Sequence, residues 1–358
     1  MDDHLIDDET IPLARRSVLP GEGFFTPDSF DEVQAEREAK ETLEGAERVV
    51  VADPDADGLG CVALVRVAHG DAALLGAGPH EIDEALEYVA EFGEPDLDLY
   101  VCDLCPDDEG DVAALPTVAE RAGAIRWFDH HQWDDDLRGY VAEYADLVVG
   151  ASDEVCTTDV ALDAIDYDFP ERYAELALVT RDHDLWLRED PRSDDLADYA
   201  YWADPEEYVG TVVEHGADLP ADVEEYLAER RVEKEALIEK AVDRAELTEV
   251  GEWTVGVTYG RCSQNEVAEA MREEGADASV IVKPAGSASI RGTDAFERCH
   301  EVAGQVNGGG HPKAAGCKPD IYDDMLDYAH HWTTRGAVTK QVILEAFRNL
   351  DPADEADA

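Results

Sequence analysis

Arg48-Val49-Val50-Val51-Ala52 runs directly into Asp53-Pro54-Asp55-Ala56-Asp57-Gly58, and this junction decides the architecture. The short β-branched run predicts a buried strand, and Leu59 to Val67 continues in helical period, so the unit is strand, acidic loop, helix. It recurs twice. Leu97 to Cys102 is a second apolar run ending at Asp103, with a helix expected around Glu109 to Ala122. Ala124 to Phe128 is a third, ending at Asp129. Short apolar strands alternating with helices imply the α/β class with a parallel sheet flanked by helices. Loops at the carboxyl ends of such strands converge on one edge, where ligands bind. All three predicted strands deliver a carboxylate there.

On the N-terminal side, residues 1–46 carry Pro20-Gly21 and a helical stretch near Phe30 to Leu43, and read as a leader packed on a first domain of residues 47–220. Within that domain Thr157 to Ile165 and Tyr173 to Thr180 read as helices, the second running into Arg181-Asp182-His183-Asp184. Residues 221–247 contain no Gly or Pro and are charge-patterned throughout, which predicts a linker helix. A smaller C-terminal α/β domain, 248–350, follows. Its expected strands are Trp253 to Thr258, Ala278 to Lys283 and Ala288 to Arg291, with a helix at Asn265 to Glu274. Gly308 to Gly316 reads as a glycine-rich loop, two helices from Tyr322 and Lys340 close the domain, and 351–358 reads as an acidic disordered tail.

At 358 residues the chain is long enough for two cores, and 44% hydrophobic content excludes a disordered polyelectrolyte. Asp and Glu number 86 against 28 Lys and Arg, a formal charge of −58. Acid spread along the whole length with few lysines is the solvation pattern of a halophilic protein, since in concentrated salt the Debye length shrinks to about 3 Å. Net charge therefore does not exclude a nucleic-acid substrate. Seven cysteines at irregular positions make no disulfide framework, and neither a signal peptide nor an 18-residue apolar run occurs. A cytoplasmic protein without a membrane partner is expected.

The acidic loop presents three carboxylates at alternating positions, the oxygen donors that hard divalent cations require. It is no EF-hand, because Gly58 follows the third acid directly and no ligand Glu closes a twelve-residue loop. After the third strand, the adjacent rings of His130 and His131 point in different directions, so one can bind a metal while the other meets substrate. Asp129 is placed to orient an imidazole. Cys102-Asp103-Leu104-Cys105 hints at zinc, but no second cysteine pair has suitable spacing. In the second domain Gly308, Gly309 and Gly310 leave backbone N–H groups open to an anion, and Arg291 suits bidentate phosphate contact.

Asp53-x-Asp55-x-Asp57-Gly58, strand-terminal Asp103, Asp129-His130-His131 and a later Asp182 stand in the order of the four motifs of the DHH phosphoesterase superfamily. The chain resembles its RecJ-like exonuclease and oligoribonuclease branches. Gly308-Gly309-Gly310-His311-Pro312-x-Ala314-Ala315-Gly316, preceded by Ser289-Ile290-Arg291, resembles the DHHA1 substrate domain. This resemblance implies that Asp55, Asp57, His130 and Asp182 are metal ligands and that Asp103 bridges two ions, usually Mn²⁺, with Mg²⁺ as the alternative. Asp184 competes with Asp182; the Asp-x-Asp-Leu-Trp form favours the earlier residue. Many relatives carry a His where Val51 stands, so either Asp53 supplies a ligand or one metal site is weak.

The resemblance further implies hydrolysis by metal-activated water. Asp103, His130 and His131 are its catalytic residues, and His131, Arg291, the three glycines and His311 hold the substrate phosphate. Short single-stranded RNA or DNA is the expected substrate, since no long nucleic-acid module is added. Two alternatives stay open: a phosphoesterase on 3′-phosphoadenosine 5′-phosphate or a linear or cyclic dinucleotide, and a non-catalytic subunit of a replication or repair complex. Oligomeric state is open, a homodimer included.

Overall fold

A computed structural model describes residues 28–350, so the predicted leader up to residue 27 and the acidic tail lie outside the described residues. The described residues divide into two compact units, with the boundary between Ala228 and Glu229. The first contains α1 (Asp28–Leu43), β1 (Arg48–Ala52), α2 (Ala56–His69), β2 (Ala73–Gly76), α3 (Ile82–Phe92), β3 (Asp98–Cys102) and α4 (Leu115–Ala119). It continues with β4 (Ala124–Asp129), α5 (Asp135–Val141), β5 (Asp146–Val149), α6 (Thr157–Ala164), α7 (Glu171–Asp184), α8 (Arg192–Trp202) and α9 (Pro205–His215).

Its five strands form a wholly parallel sheet in the order β2-β1-β3-β4-β5. Both faces are covered, which is why the central strands are almost continuously apolar. Along β1 the side chains alternate: Val50 and Ala52 join the core built with α2, α6, α7, α8 and α9, while Val49 and Val51 join the core built with α3 and α4. Because α2 and α3 cover opposite faces, the strand order reverses between β1 and β3, and ligand crevices form at such switch points. The acidic loop follows β1 and Asp103 follows β3.

Three differences from expectation have local causes. Strands β2 and β5 were not predicted; they are four residues each, at the two sheet edges, and too short to declare a pattern. The helix expected from Glu109 shrinks to α4, because Pro116 sits in its first turn and cannot donate a backbone hydrogen bond to a preceding turn. The linker helix α10 (Ala221–Val242) stops before Leu247, which instead lies in β6 (Glu246–Val250), paired with Gly256 of β7 (Trp253–Tyr259).

The second unit continues with α11 (Gln264–Glu273), β8 (Ala278–Val282), β9 (Ala288–Gly292), α12 (Cys299–Gly304), β10 (Gly308–Gly310), β11 (Ala314–Cys317), α13 (Met325–Thr334) and α14 (Ala337–Arg348). Its six-stranded sheet runs β10-β11-β9-β8-β7-β6, with β7 and β8 parallel and every other pair antiparallel. Val255, Val257, Val280, Ile290, Phe296 and Phe347 form its core. Among the described residues no helix is long and apolar enough to cross a membrane.

Candidate metal centre

Asp55 turns the acidic loop into a helix. Its Oδ1 accepts the N–H groups of Asp57 at 2.9 Å and Gly58 at 3.0 Å, the capping bonds that start α2. Gly58 is obligatory here, since a Cβ on it would lie 2.2 Å from the Asp53 carbonyl oxygen. Asp57 is buried, and α6 holds it across a hundred residues of sequence. Thr157 N–H donates to Asp57 Oδ2 at 2.6 Å, Thr158 N–H to Oδ1 at 2.7 Å, and Thr158 Oγ1 to the Asp57 carbonyl at 2.9 Å. Each carboxylate oxygen keeps a second lone pair for a cation.

Asp103 ends β3 with φ 59°, a left-handed conformation that costs a non-glycine residue energy and recurs at functional sites. Thr157 Oγ1 donates to its Oδ1 at 2.8 Å. His130 Nε2 lies 3.8 Å from the same oxygen and 3.3 Å from Asp184 Oδ2. The other ring nitrogen of His130 is buried without a well-aligned hydrogen bond, although the Val155 backbone favours the protonated ring. His131 is positioned differently: its Nδ1 sits 2.7 Å from Asp129 Oδ1, and Trp133 Nε1 donates to Asp129 Oδ2 at 2.6 Å. The fully buried Asp129 thus orients His131, whose side chain remains 42% exposed.

The fourth motif is corrected. Asp182 is not part of this cluster: its carboxylate accepts Glu189 N–H at 2.9 and 3.1 Å, Asp190 N–H at 3.2 Å and Ser193 Oγ at 2.7 Å, which ties down the loop after α7. Asp184, two residues on, faces Asp57 and His130 instead. Asp53 is partly exposed beside Asp55, and Val51, where the resemblance would place a histidine, is a core residue.

The electrostatics follow from crowding. Burial and the charges of Asp57 and Asp55 push Asp103 well above the ordinary carboxylate range and Asp184 up to about 8. Burial and Asp55 push Asp53 up to about 7. Asp55 is enclosed by protein atoms yet keeps a face open to solvent; desolvation and the like charge of Asp57 raise it too. Burial lowers His130. Burial also pulls His131 down, but the hydrogen bond and charge of Asp129 outweigh it and bring it up to about 9. Four carboxylates held this close resist joint ionisation unless a cation is among them.

Two sets of donor atoms converge within 4.8 Å, Asp103 with His130 and His131, and Asp57 with His130 and Asp184. Oxygen and imidazole donors without a thiol fit a hard or borderline divalent cation rather than a cysteine-bound zinc. Asp184 Oδ2, buried without a well-aligned hydrogen bond and facing His130 Nε2 at 3.3 Å, is available as a ligand atom. The residues present therefore fit a divalent metal.

In the second unit the glycine-rich loop is also corrected: Gly308–Gly310 is the edge strand β10, paired antiparallel with β11. The glycines serve that pairing, since a Cβ on Gly308 would lie 2.2 Å from the Gly316 carbonyl oxygen. His311 is exposed at the hairpin turn. Arg291 pairs in register with Ala314, three residues past His311, so both occupy one end of β9 and β11. Arg291 Nε donates to Asn265 Oδ1 at 2.9 Å. Lys283, which the sequence did not single out, follows β8 at the other end of its pairing with β9; burial lowers its ammonium pKa and the Arg291 charge lowers it further.

No family model matches the chain, and no curated protein does. Solved structures do. An exonuclease RecJ bound to manganese matches at 15% identity and TM-score 0.55, covering 89% of this chain and 94% of its own. The DHH domain of a member of the s1p family of ribosomal proteins matches at 14% and 0.56, over 89% and 90%. A pGpG-specific phosphodiesterase from Vibrio cholerae matches at 12% and 0.51, over 82% and 98%. The chain therefore shares its fold with these proteins, one of them a DHH domain.

Proposed function

We propose that this chain is a divalent-metal-dependent phosphodiester hydrolase acting on short single-stranded RNA or DNA. The observation that carries the reading is the convergence of Asp55, Asp57, Asp103, His130 and Asp184 at the switch point of a parallel sheet, with two donor sets inside 4.8 Å. These residues would hold such a cation, which would supply Lewis-acid polarisation of a phosphoryl oxygen and a water pKa lowered toward neutral, so that hydroxide is available as nucleophile. Thr157 and the α6 amides keep Asp103 and Asp57 aimed at it. His131, clamped by Asp129 through Nδ1, presents its other nitrogen as a hydrogen-bond donor to a non-bridging phosphate oxygen. Arg291 and Lys283, with His311 in the neighbouring hairpin, are the second unit's candidates for substrate phosphate.

Manganese is the cation of choice in this reading, supported by a RecJ structure of the same fold that holds it. A dinucleotide substrate is the second reading, favoured by the pGpG-specific phosphodiesterase of the same fold. The test is a product time course with Mn²⁺ on end-labelled RNA and DNA of two, five and many nucleotides, with a mononucleotide bisphosphate alongside. Turnover of the oligomers, abolished in Asp103→Asn, supports the proposal; turnover of dinucleotides alone moves it to the second reading. No hydrolysis of any phosphodiester, or Asp103→Asn as active as wild type, refutes it.

A further inference from the structure

The second sheet has two edges. β10 and its hairpin form one; at the other, beside β6, the described residues enclose a recess of about 350 Å³. Arg244, Arg335 and Lys340 line it, together with Tyr259 and, among acids, Asp243 and Glu246. In a chain with 86 acidic residues and 28 basic ones, a cation ordinarily finds a carboxylate. These three make no ion pair or side-chain hydrogen bond among the described residues, although several other cations do, such as Arg192 with Asp190, Glu175 and Asp218. They also crowd one another. Burial lowers the Lys340 ammonium pKa, Glu246 opposes that, and Arg335 and Arg244 add to it.

Tyr259 and the start of α14 border the same place. Tyr259 is 8% exposed, and its hydroxyl, not bonded to another side chain among the described residues, is left open to solvent at the recess. Helix α14 starts beside Arg335, with Gly336 as its N-cap, and brings Lys340 to the recess. Two guanidinium groups, an ammonium and a phenol are rich in donors and poor in acceptors, the complement of a tetrahedral oxyanion with several acceptor oxygens. The recess is large enough for a small phosphorylated molecule.

We propose that this recess is a second anion site, which takes the phosphate group of a small phosphorylated ligand through Arg244, Arg335, Lys340 and Tyr259. It is independent of the metal centre and stands or falls separately from the hydrolase reading.

The probe is inorganic phosphate, titrated into the full-length, metal-loaded protein. Acetylation of each lysine is read by mass spectrometry, and affinity is read by calorimetry. Phosphate is expected to protect Lys340 at least tenfold more than Lys40 or Lys318. The protection is lost, and affinity falls at least tenfold, in Arg244→Gln and Arg335→Asn. Arg335 is exposed with a left-handed backbone that Asn tolerates, so that variant carries the test should Arg244→Gln fail to fold. Arg291→Gln is expected to leave the protection intact. The proposal is overturned by unprotected Lys340 at about 10 mM phosphate, by protection that persists in Arg335→Asn, or by protection that vanishes in Arg291→Gln.

Discussion

Asp182 and Asp184 sit two residues apart on α7, and their substitutions are expected to fail in opposite ways. Asp182→Ala removes the acceptor of three donors, Glu189 N–H, Asp190 N–H and Ser193 Oγ. At about 1–1.5 kcal/mol for each buried donor left unmade, the cost is about 3–5 kcal/mol. For a unit of this size that corresponds to a fall in Tm of about 10 °C. Asp184→Asn keeps the shape but removes a carboxyl that, when ionised, faces the charges of Asp57, Asp55 and Asp129. It relieves repulsion in the metal-free protein, so Tm there stays level or rises, while Mn²⁺ affinity falls at least tenfold, about 1.4 kcal/mol. Calorimetric Mn²⁺ titration beside thermal unfolding with and without chelator reads both quantities. The assignment collapses if Asp182→Ala loses metal at unchanged Tm and Asp184→Asn binds it as wild type does.

Thr157→Val keeps the side chain's volume and removes the donor to Asp103, so Mn²⁺ affinity is expected to drop about tenfold through a charge-assisted hydrogen bond of about 1.5–3 kcal/mol. Isothermal titration checks it. Gly58→Ala drives a methyl against the Asp53 carbonyl at 2.2 Å, where backbone must shift; hydrolytic activity is expected to fall at least tenfold, with Tm lowered by several degrees. His331, buried between Tyr322 Oη and the Lys283 carbonyl, has its pKa depressed below 6.5 by burial, partly offset by that carbonyl. A depressed imidazole leaves the unfolded chain binding more protons. Its contribution is therefore intact above pH 6.5 and drains away as pH falls through the folded-state value. Denaturant titrations across that window should show a shallower pH slope in His331→Gln.

What the sequence declared was what lies close along the chain. β1, β3 and β4 are apolar runs ending in carboxylates, and their places at one sheet edge followed from α/β geometry alone. Asp55, Asp57, Asp103 and His130 lie at that edge. The errors came where spacing is ambiguous or the partner is remote. Residues two apart on a helix project roughly 200° from each other, so a choice between Asp182 and Asp184 needs the packing of α7, which its mixed composition conceals. Thr157 and Thr158 reach Asp57 across a hundred residues, and nothing around them in the sequence announces it. Gly308–Gly310 read as a loop because glycine is a poor strand former. Its pairing with β11 became visible only with Cys317 and Ala315 opposite.

The hydrogen bond from Trp133 to Asp129 also makes the centre observable without an attached probe. The chain has six indoles, hence six Nε1–H resonances in a proton–nitrogen correlation spectrum. The one bonded at 2.6 Å to a buried carboxylate is set apart from the rest by deshielding, well downfield. Because the same carboxylate grips His131, any ligand that draws on that imidazole changes the electron density at Asp129 and shifts the indole signal. A single proton, two hydrogen bonds from the chemistry, can thus be followed through each stage of a titration.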